Sequence, residues 1–171
     1  MEAHEQALVN WLETHSPEDW HQVAIDWNWD AGLDILAWIA SQPDCDRATA
    51  QHLIVNGGAD YFVSFADRDA LMAQAPYNLE PFDLLQSTIA RWNAGAYRRS
   101  EIASTDPDDL AQKERRYRQA EADAIGSGQA LPWQLDEQVF QRLAGRVFSY
   151  KYAEGWPPAV AAELTARGIG F

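Results

Sequence analysis

The groups able to do chemistry in this 171-residue chain are its carboxylates, four histidines and a single cysteine. Their spacing decides which chemistry is open to them. Asp26-Trp27-Asn28-Trp29-Asp30-Ala31-Gly32 sets oxygen ligands at alternate residues, as a calcium loop does. Such a loop also needs Gly at its sixth position and a carboxylate at its twelfth. Here the glycine comes one residue late and the last position is Ala37, so a calcium site is not expected. Asp44-Cys45-Asp46 has the Asp-x-Asp form of an aspartate-nucleophile phosphatase. That chemistry requires a hydrophobic strand that delivers both carboxylates at its end. Ser41-Gln42-Pro43 precedes them instead and reads as a turn before a helix cap.

Asp26, Asp30 and Asp34 recur every fourth residue. On one continuous helix they would line a face and repel each other, so a break near Asn28 to Gly32 is expected to separate them. His4, His15, His21 and His52 share no metal-ligand spacing. Cys45 has no CxxC partner and no nucleophile context, which points to a buried structural thiol. No GxSxG, GxGxxG or Walker loop occurs. The expectation is no catalytic residue, no metal and no cofactor.

The elements that must position these residues are helices. Ala7, Leu8, Trp11 and Leu12 form one stripe over roughly 2–15. Ser16-Pro17-Glu18-Asp19 combines a cap, a proline at the first helical position and first-turn acids, opening a helix that carries Trp20, Val23, Ala24 and Trp27. Asp30 is placed to cap a third helix that ends before Pro43, and Asp46 to cap a fourth over Arg47 to Val55, stopped by Asn56-Gly57-Gly58. Tyr61 to Phe65 is compatible with strand or buried helix, and Asp67 to Ala75 with helix. Phe82, Leu85, Ile89 and Trp92 give the most regular amphipathic helix, ending at Gly95.

Residues 96–105 read as a loop. Asp106-Pro107-Asp108-Asp109 predicts the start of a charged surface helix, and Gly126-Ser127-Gly128 is the best linker candidate. Val139, Phe140, Leu143, Val147 and Tyr150 suggest a further helix, and a last one runs from Trp156-Pro157-Pro158 to Gly168. The fold class is all-α, a single compact domain of roughly eight short helices, with a possible sub-boundary near 126–128. Trp11, Trp20, Trp38 and Trp92 fall on core stripes, while Trp27, Trp29, Trp133 and Trp156 sit at element ends.

The chain carries 26 acidic and 13 basic residues, a formal charge of -13. Fifteen of the acids lie before residue 87, where only Arg47 and Arg68 oppose them; the rest of the chain is neutral. This balance argues against nucleic acid and anionic membranes as partners. It favours a protein partner with a basic surface. The alternative is internal compensation, with Lys113, Arg115, Arg116 and Arg118 answering part of the excess. One cysteine permits no intrachain disulfide, the N-terminus lacks signal-peptide features, and no apolar run approaches the ~20 residues of a membrane helix, so a soluble cytoplasmic protein is expected.

Asn28-Trp29-Asp30-x-Gly32, Ile39-Ala40, Pro43-Asp44-Cys45-Asp46-x-x-Thr49-Ala50, Gly57/Gly58 and Tyr61 resemble an uncharacterised bacterial family catalogued as domain of unknown function 4274. The resemblance spans residues about 27–61, with Gly57-Gly58-Ala59-Asp60 departing from the family's second glycine region. It implies a bacterial origin and carries over no site residue. The resulting expectation is a non-catalytic acidic binding protein, such as an immunity protein that neutralises a basic toxin. Asp26, Trp27, Trp29, Asp30, Asp34, Asp44 and Asp46 are its candidate partner-binding residues. The alternatives are a helical adaptor or assembly protein, and a hydrolase built on clustered Asp and His. The hydrolase would need a deep pocket around a strongly perturbed Asp or His.

Overall fold

The computed structural model describes residues 2–148 and 150–170. Their regular structure is helical: α1 (Ala3–Leu12), α2 (Pro17–Asp26), α3 (Asp34–Ser41), α4 (Arg47–Asn56), α5 (Ala59–Phe62), α6 (Arg68–Gln74), α7 (Leu79–Asn93), α8 (Leu110–Gly126) and α9 (Pro158–Ala166). Short 3-10 turns occupy Trp29–Ala31, Pro76–Asn78 and Glu137–Phe140. The described residues contain isolated β-bridges and no sheet. The all-α class read from the sequence is the class observed.

Local chemistry explains most helix starts. Glu2 and Ser16 close capping boxes with Glu5 and Asp19. Asp46 and Asp67 each accept a hydrogen bond from a first-turn backbone N–H, opening α4 and α6. Asp30 behaves differently from expectation. Asn28 takes the capping role instead, accepting from the Asp30 N–H at 3.0 Å, and the chain makes one 3-10 turn before α3 begins at Asp34. The three carboxylates at four-residue spacing are therefore parted, as their mutual repulsion requires.

Packing centres on α4, where every residue from Ala48 to Ile54 is buried. It touches α2, α3, α5 and α7, and the turn at 137–140 covers a further side. α1 packs on α3 and α9, and α8 lies against α5. One contiguous apolar cluster runs from Leu8 to Leu164. Trp20, Trp27, Trp92, Trp133 and Trp156 are buried within it, and Trp11, Trp29 and Trp38 pack on it while partly exposed.

Two stretches depart from the helical pattern. The helix expected across Val139 to Tyr150 is only the 3-10 turn at 137–140, followed by irregular backbone through the described residues. The reason is competition for the backbone groups. Arg146 N–H donates to the Glu101 carbonyl at 2.8 Å, Ala103 N–H to Arg146 at 3.0 Å and Ser104 N–H to Leu143 at 3.1 Å. A β-carbon on Gly145 would lie 2.4 Å from the Glu101 carbonyl oxygen, so this approach needs a glycine. The helix expected from Asp106-Pro107 instead starts at Leu110, because Asp106 adopts a left-handed conformation (φ 48°) and turns the chain first.

Gly145→Ala is expected to cost roughly 1–3 kcal/mol, the ordinary penalty of overpacking. A lowered urea midpoint at unchanged m-value would show it; an unchanged midpoint would contradict the tight approach.

Candidate functional site

Buried polar side chains collect along α4. Asp46, fully buried, caps the helix through the Ala48 N–H at 2.9 Å and also accepts the Glu101 N–H at 2.8 Å. The Arg99 guanidinium lies 3.8 Å away. Burial pushes the Asp46 carboxyl up, against the pull of its N–H donors and Arg99. Gln51 donates to the carbonyls of Val139 and Gln141, both at 2.8 Å, and its amide oxygen accepts from Ser104 Oγ at 2.6 Å. His52 meets the Asn56 amide at 3.1 Å. Thr49 Oγ1 lies 2.9 Å from His21 Nδ1, across the α2–α4 interface.

His21 also reaches outward. Its Nε2 is 3.3 Å from Thr105 Oγ1, and the ring forms the inner wall of a cleft of about 260 Å³. Ile25, Ile102 and Phe148 supply apolar walls; Arg142 and Arg146 stand at the rim. This is a buried, perturbed histidine in a cleft, the feature a hydrolase would need. Burial pulls its pKa down to about 4. Its inner partner is the Thr49 hydroxyl, and the Asp26 carboxylate pulls its pKa upward against the larger effect of burial. Cys45 is equally withdrawn: burial pushes its thiol up to about 12, so it stays protonated. Among the described residues no group of His, Cys, Asp and Glu converges on a metal site.

A second concavity lies between α3 and α7. Leu33, Ala37 and Leu84 form its floor, and Asp34, Glu80 and Asp83 its carboxylate rim. Glu80 ties the two helices together by accepting the Leu33 N–H at 2.7 Å, which takes up a donor at the start of α3. Asp83 holds Arg68 in a bidentate pair at 2.8 and 2.9 Å.

The structure divides the seven candidate partner-binding residues. Asp46 and Trp27 are buried and internally committed, the Trp27 indole donating to the Gly32 carbonyl at 2.8 Å. Asp26, half-buried, accepts from the Tyr152 N–H at 2.6 Å and from the Gln22 amide. Trp29 packs partly on the core. Asp30, Asp34 and Asp44 are exposed, and Asp34 alone of the seven lines the α3–α7 groove. Glu80 and Asp83 of the groove were not among the candidates. Their signal in the sequence was weak, since they join Asp34 only through helix packing.

Internal charge compensation is partial. Arg99 and Arg146 both pair with Glu18, Arg99 also faces Asp46, and Arg116 pairs with Asp60. Of the four cations proposed for this role, Arg116 crosses to the acidic half, whereas Arg118 pairs locally with Glu121 and Lys113 lies near Asp109.

Residues 15–93 match the family described as Domain of unknown function (DUF4274). The match takes in the whole resembling stretch around Asn28-Trp29-Asp30 and Asp44-Cys45-Asp46. It spans α2 to α7, so the α3–α7 groove lies inside the DUF4274 segment and the His21 cleft straddles its border. No curated protein and no solved structure matches the chain. No helix of the described residues is long and apolar enough to cross a membrane.

The two buried histidines make stability depend on pH. Burial lowers His21 to about 4 and His52 to about 3, against an unfolded value of 6.5. Between these values the unfolded chain binds more protons, so stability is complete above pH 6.5 and falls as pH drops towards 4. At about 1.4 kcal/mol per unit, a loss of a few kcal/mol is expected. Urea midpoints at pH 7, 6 and 5 check this, and His52→Asn should flatten the slope. A midpoint constant over that range would contradict it.

Proposed function

We propose that this protein is a non-catalytic binding protein that masks a basic protein partner, as an immunity protein masks a toxin. The α3–α7 groove carries the reading. The groove suits a lysine or arginine side chain, whose methylene stem packs on Leu33, Ala37 and Leu84 while its charged head shares a rim of Asp34, Glu80, which already accepts the Leu33 N–H, and Asp83, which already holds Arg68. The surroundings have the same sign. Asp30, Asp44, Asp67 and Asp69 are exposed within the acidic half, and such a field speeds encounter with a cationic partner. A single cysteine forms no intrachain disulfide, which suits a reducing compartment and supports a cytoplasmic location.

A synthetic Lys/Leu amphipathic peptide is a suitable probe. NMR titration is expected to perturb Leu33, Ala37, Leu84 and Ser87 first. Affinity should fall roughly tenfold between 50 and 300 mM NaCl, where screening shortens from beyond ~10 Å to well below it. Asp34→Lys should abolish the groove shifts. Perturbation spread evenly over the acidic surface, or an affinity indifferent to salt, would refute the assignment.

A further inference from the structure

We infer that the cleft beside His21 binds a small monocarboxylic acid with an apolar body. The cleft lies away from the α3–α7 groove and shares no lining residue with it. Four features of its wall specify the ligand class. The first is volume: about 260 Å³ admits a small organic molecule rather than a peptide segment. The second is the lining. Ile25, Ile102, Pro107 and Phe148 present apolar surface, and the Phe148 ring stands 6.5 Å from the His21 ring.

The third feature is charge. Arg146 is already engaged by Glu18 and Glu101, the latter at 3.3 Å. Arg142 is exposed and meets no carboxylate among the described residues. Asp106 lines the same cleft and adds a negative charge. The lining thus holds one guanidinium not engaged by a carboxylate of the described residues, Arg142, and one carboxylate, Asp106, a balance that favours a singly charged anion over a more highly charged one. Arg also offers the planar fork that matches a carboxylate. The fourth feature is the polar inner wall. The His21–Thr105 contact, at 3.3 Å, is long for a hydrogen bond, which leaves the Thr105 hydroxyl free to turn towards a ligand oxygen. His21 stays neutral there, so it adds a polar edge without a second charge.

The cleft is shaped by three stretches distant in sequence: α2, residues 102–107 and residues 142–148. The backbone pairing of 101–104 with 143–146 fixes the last two against each other.

The test uses 4-phenylbutyrate, its neutral amide and inorganic phosphate, each titrated into the full chain at pH 7. The acid should give saturable shifts at His21 and Thr105. The amide should bind roughly tenfold more weakly, the ordinary worth of one charge-assisted hydrogen bond. Arg142→Ala should weaken the acid by about the same factor and leave the amide unchanged, a pattern that general damage to the fold would not produce. Because Arg142 is exposed and meets no carboxylate among the described residues, the variant should melt with the parent. The inference is overturned by an absence of saturable shifts with the acid, by equal affinity for acid and amide, or by phosphate binding more tightly than the acid.

Discussion

The structure depends on one constraint: α4 is buried on every side and yet carries polar groups. A helix enclosed all round is ordinarily apolar, since each buried polar atom left unpaired costs about 1–3 kcal/mol. Here Asp46, Thr49, Gln51 and His52 are all buried within or at the start of that helix. Each must find a fixed partner; His52 finds Asn56 one turn on, whereas the others reach far along the chain. Asp46 claims the Glu101 N–H, Gln51 claims Ser104 and the carbonyls of Val139 and Gln141, and Thr49 claims His21. The irregular second half is thereby held against α4 by hydrogen bonds as well as by apolar contact.

This arrangement explains why the two concavities differ. The α3–α7 groove is a product of neighbouring helices within the acidic half, and its rim inherits that half's charge. The His21 cleft forms where the hydrogen-bonded strap of residues 101–107 and 142–148 meets α2, so it takes its cations from the second half. Arg146 of this strap and Arg99 just before it answer part of the acidic excess, both on Glu18. The exposed carboxylates Asp34, Asp44, Asp67 and Asp69 keep the outer surface negative.

The sequence patterns that succeeded were local. Asp46 as a cap, the Ser16-Pro17 start, the Gly57-Gly58 stop and the Phe82/Leu85/Ile89/Trp92 stripe each act within a few residues, and each appears as read. The patterns that failed met non-local competition. Val139 to Tyr150 has helical spacing, but its backbone is drawn into pairing with residues 101–104. Trp27 and Asp46 looked available for a partner because exposure is not written in residue type. Both turn inward, Trp27 to the Gly32 carbonyl and Asp46 to two backbone donors.

From the sequence alone came the all-α class, most helix boundaries, the confinement of net charge to the first 86 residues and the family resemblance around Asn28 to Tyr61. These follow from periodicity, capping chemistry and composition, which act over one or two helical turns or over the whole chain. Only the tertiary structure decided which carboxylates face solvent, that Glu80 and Asp83 join Asp34 in one groove, and that His21 lines a cleft with Thr105 and Arg142. Those facts rest on contacts between residues tens of positions apart, and the polar demands of a fully buried helix select them rather than any local spacing.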